Sequence, residues 1–172
     1  MADETQDGAG DMGLTIRRAL PQDLPGVDKL LSEVLEVHAS QRPDIFIPGT
    51  RKYADEELLD IFADDRRPVF VAVEEGAPAG EVLGYAFCVW EEFAGSINME
   101  PMRTLYIDDI CVDEPARGRH VATSLYRHVL AYAREQGFYR VTLNVWDCNP
   151  GARAFYDRMG MAPLKTTMEQ VL

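Results

Sequence analysis

Residues 103–137 read RTLYIDDICVDEPARGRHVATSLYRHVLAYAREQG. An apolar, β-branched run passes into an amphipathic pattern across a short turn that carries Pro115 and Gly118. The join is a strand that feeds a helix. It constrains the fold because such a helix must lay its apolar stripe on a sheet. The helix end facing the turn presents backbone N–H groups and the positive end of the helix dipole. That arrangement suits an anion such as phosphate. Gly118 lets the turn approach a ligand closely, Arg117 and Arg119 add positive charge, and Ala122 and Thr123 leave the helix end open. A plain charged turn with solvated arginines is the alternative. A Gly-Lys-Ser/Thr phosphate loop and a dinucleotide fingerprint are both absent.

The rest of the chain fits around this unit. Residues 14–19 alternate as a strand, and 21–40 form a helix with Val27, Leu30, Leu31, Val34, Leu35 and Val37 near helical spacing. A Pro-bearing loop at 41–50 leads to a second helix at 52–65. Residues 68–75 and 81–92 are strands joined by the turn GAPAG, which makes a hairpin. After the strand at 103–114 and the helix at 119–137 come a strand at 140–147 and a helix at 149–160. That helix has Asn149 at its N-cap, Pro150 in its first turn and Gly160 at its end. A terminal strand is expected at 162–172. The order β-α-α-β-β-β-α-β-α-β predicts an α/β (α+β) protein with a mixed sheet and helices on its faces.

With 172 residues the chain suits one domain, expected over 14–172, behind an acidic, Gly-rich leader at 1–13 expected to be disordered. The leader lacks the basic and apolar regions of a signal peptide, and no apolar run reaches membrane-spanning length. A net charge of −12 argues against a nucleic-acid partner and favours cationic small molecules. The three cysteines, Cys88, Cys111 and Cys148, lack metal-ligand spacing and read as free thiols of a reducing, cytoplasmic setting. His38, His120 and His128 are scattered, so no metal is expected.

The segment ICVDEPARGRHVATSLYRHVLAYAREQG resembles the acyl-CoA-binding segment of the GNAT superfamily of N-acetyltransferases. The family pattern Gln/Arg-x-x-Gly-x-Gly/Ala falls on Arg117, His120 and Ala122, with His120 where glycine is usual. RVTLNVWDCNPGARAFYDRMGM is similar to the next strand and helix of that family, with its Asn-x-x-Ala-x-x-Phe-Tyr pattern at Asn149, Ala152, Phe155 and Tyr156. The resemblance covers about residues 14–172. It implies the GNAT fold, acetyl-CoA as co-substrate and direct attack of a primary amine on the thioester. It places the CoA pyrophosphate on the turn Arg117, Gly118, Arg119, His120, Val121, Ala122 and Thr123. It sets the pantetheine arm along Ile110, Cys111 and Val112, with the Val112 N–H toward the thioester oxygen, and adds Asn149 as a further CoA contact. Tyr156 corresponds to the general acid.

An acceptor ammonium must also lose a proton, and Asp108 and Asp109 are the carboxylates at hand. Strand alternation puts them on opposite faces, Asp109 with Leu105, Ile107 and Cys111. Desolvation among such neighbours raises a carboxyl pKa, which suits a base. Structural hydrogen bonding, or binding of a cationic acceptor, is the alternative for both. The acceptor is expected near His38, Arg42, Asp44, Phe46 and Tyr53, where Arg42 would hold a carboxylate and Asp44 an amine. Trp90, Glu91 and Trp146 are further wall candidates. A small-molecule amine is the leading acceptor and a protein N-terminus or lysine the alternative. A non-catalytic acyl-CoA-binding domain is the second alternative. The family also forms homodimers, although no stretch here marks an interface.

Overall fold

The structure, a computed structural model, describes residues 13–172. The leader expected at 1–13 lies outside the described residues except for Gly13. The elements are β1 (Leu14–Arg18), α1 (Leu24–Gln41), α2 (Asp55–Ala63), β2 (Val69–Glu74), β3 (Gly84–Phe93), β4 (Met102–Val112), α3 (Val121–Glu135), β5 (Arg140–Leu143) and α4 (Pro150–Arg158). Two compact units part between Thr142 and Leu143.

The first unit is built on a sheet of order β1-β2-β3-β4-β5. β1, β2, β3 and β4 pair antiparallel in succession. β5 follows β4 through α3, a crossover that runs the two strands parallel. Along β2, Val69 to Ala72 are all buried, and along β3 so are Tyr85 to Cys88. Runs that are apolar without alternation belong to strands covered on both faces. On one face Val69, Val71, Tyr85 and Phe87 pack with Val27, Leu30 and Leu31 of α1 and Leu58, Ile61 and Phe62 of α2. The intervening residues meet α3. Phe70 stands edge-on to His128 and Tyr132, with ring centroids at 4.7 and 5.1 Å.

Two local devices lock this arrangement. Asp23, 1% exposed, accepts two hydrogen bonds from Arg17 at 2.6 and 2.9 Å and one from the Leu20 N–H at 2.8 Å. A buried carboxylate with three donors holds the entry to α1 against β1. At the other side, a Cβ on Gly84 would fall 2.7 Å from the Cys111 carbonyl oxygen and 3.2 Å from Leu125 and Val121. Only glycine lets β3, β4 and α3 close together there.

β4 departs from simple alternation. Phe87 pairs with Asp109, yet Cys88 pairs with Ile107, so Asp108 is an extra residue opposite the Phe87–Cys88 step. This β-bulge corrects the expectation from period two. One extra residue turns the following side chains over. Asp109 therefore shares the α1/α2 face with Cys111 and Phe87, while Leu105 and Ile107 face α3 with Trp90 and Cys88.

The second unit contains α4 and the residues after it. Asn149 Oδ1 caps α4 by accepting the Ala152 N–H at 3.0 Å. The strand expected at 162–172 is not formed: those residues are irregular and exposed, with Leu164 and Met168 at 64% and 86%. Pro163 cannot donate to a ladder, and the few apolar side chains are spaced too widely to bury one face. β5 also stops at Leu143, short of the expected 147, because the Asn149 N–H turns back to the Trp146 carbonyl at 2.9 Å.

Gly84→Ala should lower the unfolding free energy by about 1–3 kcal/mol. Urea denaturation followed by tryptophan fluorescence reads this, and an unchanged midpoint would show that the strands separate freely.

Candidate active site

The bulge decides what surrounds the two carboxylates. Tyr85 O–H donates to Asp109 Oδ2 at 2.9 Å. Tyr85 is fully buried beneath α1 and α2, and its hydroxyl finds its partner across the strand pair. Burial pushes the Asp109 carboxyl up from its ordinary range. The nearby Lys52 ammonium, the Tyr85 hydrogen bond and His38 oppose that rise, while Asp108 adds to it. Burial beside Asp109 also drives the Tyr85 hydroxyl well above its ordinary value. Lys52 Nζ bonds Asp108 Oδ2 at 3.0 Å. Its own burial pulls its pKa down, but the charges of Asp109 and Asp108 outweigh this and leave it raised.

The turn after β4 has the expected open form. No described side chain caps α3 at His120. The N–H groups of Val121, Ala122 and Thr123 thus face outward from the first turn. A Cβ on Gly118 would meet nothing within 4 Å, so open space lies in front of the turn. Arg117 is exposed and its side chain makes no hydrogen bond or ion pair among the described residues, whereas Arg119 is bonded to Glu74 of β2. His120 has φ 60° and ψ 13°, the only positive φ outside glycine among the described residues. A left-handed residue is needed to bring β4 round into α3, which is why glycine suits this place.

The edge of β4 carries a second set of donors. Asp113 N–H bonds the Leu83 carbonyl at 2.9 Å, and Val112 pairs with Gly84. Hydrogen-bonded and non-bonded pairs alternate in an antiparallel ladder. The N–H groups of Val112 and Ile110 therefore point away from β3. β5 begins level with Arg103, whose carbonyl accepts the Tyr139 N–H at 3.0 Å, and its four residues run out before the bulge. Cys111, between them, faces α1, and burial together with Asp109 pushes its thiol up to about 12.

The first unit thus brings together Asp109, Ile110, Cys111, Val112 and the turn from Arg117 to Thr123. Asn149 and Tyr156 belong to the second unit, where Tyr156 packs its ring on Phe155 at 5.1 Å between centroids. Two expectations for the acceptor region are corrected. Arg42 and Asp44 bond each other at 2.7 Å and neutralise their charges. Trp90 lies on the α3 face against Phe138, at 5.1 Å, away from Asp109. Tyr85 and Lys52 were not expected. Tyr85 sits in an apolar run, and only the strand register reveals its hydroxyl opposite Asp109. Lys52 heads the segment expected as a helix over 52–65, but α2 begins only at Asp55 and leaves Lys52 in the loop before it. No group of His, Cys, Asp and Glu among the described residues is arranged to hold a metal, and no described helix is long and apolar enough to cross a membrane.

Residues 32–161 match the Acetyltransferase (GNAT) family, and the chain belongs to that family. It is similar to "Probable glucosamine 6-phosphate N-acetyltransferase 2" of Oryza sativa subsp. japonica, 31% identical over 111 residues. That match takes in 60% of this chain and 62% of the rice protein, less than two thirds of its length. It is also similar to the 5-NmdU N-acetyltransferase of Pseudomonas phage PaMx11, 28% identical over 148 residues, 86% of either chain. Among solved structures, a tetramutant of the BH1408 protein of Bacillus halodurans superposes with TM-score 0.85 at 28% identity, covering 92% of this chain and 99% of that one.

His120→Val should destabilise the fold by about 1–2 kcal/mol, because a β-branched residue is strained in the left-handed region. His120→Gly should cost little or nothing. Thermal melts of both variants compare them, and equal melting temperatures would remove backbone strain as the reason for the family's glycine.

Proposed function

We propose that this chain transfers the acetyl group of acetyl-CoA to the primary amine of a small molecule. The observation that carries the reading is Asp109. It is a partly buried carboxyl, held by Tyr85, on the strand whose outward N–H groups precede the open end of α3. Acetyl-CoA supplies an acyl group activated as a thioester. The open turn fits its phosphates: the N–H groups of Val121, Ala122 and Thr123 and the side chain of Arg117 supply donors and charge. Gly118, Arg119 and His120 shape that turn. Ile110, Cys111 and Val112 offer a strand edge to the peptide-like pantetheine arm, with Asn149 as a further contact. The Val112 N–H stabilises negative charge that develops on the thioester oxygen.

Asp109 removes the proton from the acceptor ammonium and frees the nitrogen lone pair for attack. Its raised pKa brings it closer to that of the amine while leaving it able to accept. Tyr156 donates its phenolic proton to the departing thiolate sulfur. The names of the rice relative, for glucosamine 6-phosphate, and of the phage relative, for 5-NmdU, support an amine acceptor, and the acidity of this chain favours one that is small and cationic.

Acetyl-CoA should raise the melting temperature, and Arg117→Glu should abolish that shift. No shift in the wild type would end the cofactor assignment. Release of free thiol from acetyl-CoA against amines, amino acids, amino-sugar phosphates, aminoglycosides and peptides identifies the acceptor. With that acceptor the rate should rise with pH through a limb above the usual carboxylate value of about 3.9. Asp109→Asn should flatten this limb, and persistence of the limb would place the base elsewhere. Tyr156→Phe should lower turnover by about 10²–10⁴-fold while CoA affinity is kept. Unchanged turnover removes Tyr156 as the acid.

A further inference from the structure

Lys52 reaches Asp108 from the loop between α1 and α2, and the residues on either side of it are anchored. Arg51 bonds Asp28 of α1 at 2.9 Å and Asp55 of α2 at 2.5 Å. Tyr53 stacks on Phe87 with centroids 6.2 Å apart and packs against the apolar core. Between these anchors the Lys52 ammonium lies 5.4 Å from the Tyr53 ring centroid and 3.0 Å from Asp108 Oδ2. Asp108 is the extra residue of the bulge, so it stands beside Asp109 instead of straight across the sheet from it. The Lys52 side chain is 38% exposed and its Asp108 partner 34%, values too high for a tie that holds the core together. Their pairing does have an electrostatic consequence. It places a positive charge next to a carboxyl whose ionisation burial opposes.

We propose that Lys52 is a positioning residue of the transfer reaction: anchored on Asp108, its ammonium keeps Asp109 in the ionised form that accepts a proton. The inference rests on Asp109 serving as the base. The charged and titratable groups around Asp109 are Tyr85 from β3, Asp108 and Cys111 from β4, Lys52 and Tyr53 from the loop, and His38 from α1. Tyr85 acts by hydrogen bonding and has no charge to lend. Asp108 opposes ionisation of Asp109, and the Cys111 thiol is neutral. Of the groups whose charge favours the ionised form, Lys52 acts more strongly than His38, and the carboxylates of Asp109 and Asp108 hold the Lys52 ammonium in its charged form.

The test needs no acceptor. The ¹³Cγ signal of Asp109 is followed by NMR through a pH titration of the full chain, assigned by its loss in Asp109→Asn. In Lys52→Gln the ratio of ionised to neutral Asp109 at a given pH within the transition should fall about tenfold, which moves the midpoint upward. Lys52→Arg should restore the wild-type curve. Lys52→Met serves in place of the glutamine variant if that one melts early. An unmoved midpoint in the glutamine and methionine variants overturns the proposal. So does an arginine variant that behaves like glutamine, or a shift of the same size in His38→Gln alone. The base reading fails separately, through a rate limb that survives Asp109→Asn. Because the titration does not use turnover, the two failures are distinguishable.

Discussion

One additional residue in one strand organises the candidate site. Without the bulge at Asp108, Asp109 would lie with Leu105 and Ile107 beneath α3, away from the loop that carries Lys52. With it, the strand turns over. Ile107 still fills the α3 side, and two residues later the chain presents a carboxyl to the opposite layer. The cross-strand hydroxyl of Tyr85 then meets that carboxyl, and the row of outward N–H groups at Ile110 and Val112 follows from the same register. A bulge has a small energetic cost and a large geometric effect. Here it converts a fully apolar sheet interior into a place where charge can be handled.

Much of the fold was readable because its signals were local. The α3 segment has apolar positions at helical spacing and ends at Gly137, where the Phe138 N–H closes on the Ala133 carbonyl at 2.9 Å. β2 and β3 read as strands because their runs are apolar throughout. The open helix end after Arg117 followed from the join of strand and helix. What escaped the reading was set by pairing. A bulge is a property of two strands, and neither Phe87–Cys88 nor Asp108 shows it alone. Tyr85 looked like core because it is core, apart from one oxygen atom. The terminal strand failed for a related reason: alternation in 162–172 was too sparse to stand without a neighbour to pair with.

Charge is distributed unevenly in a chain with net charge −12. Most arginines described here are occupied. Arg17 holds Asp23, Arg51 joins α1 to α2, and Arg119 fastens the turn before α3 to the end of β2. Arg117 stands two residues from Arg119 and is bound to none of the described carboxylates. One arginine thus shapes the turn and the other remains available to an anion. The same division of labour links His120 to Gly118, since both take the left-handed backbone that brings the helix end outward.

The three thiols differ sharply in accessibility. Cys88 is buried on the α3 side and Cys111 is half-buried beside α1, both held as neutral thiols by their surroundings, while Cys148 lies on the surface. A native sample therefore offers an aromatic disulfide dye a single ready sulfur. With Cys148 changed to serine, the dye becomes nearly blind to the protein, and the colour it develops comes from small-molecule thiol alone. Unfolding would then expose Cys88 and Cys111 to the dye, so one reagent could report the integrity of the sheet as well as the chemistry carried out beside it.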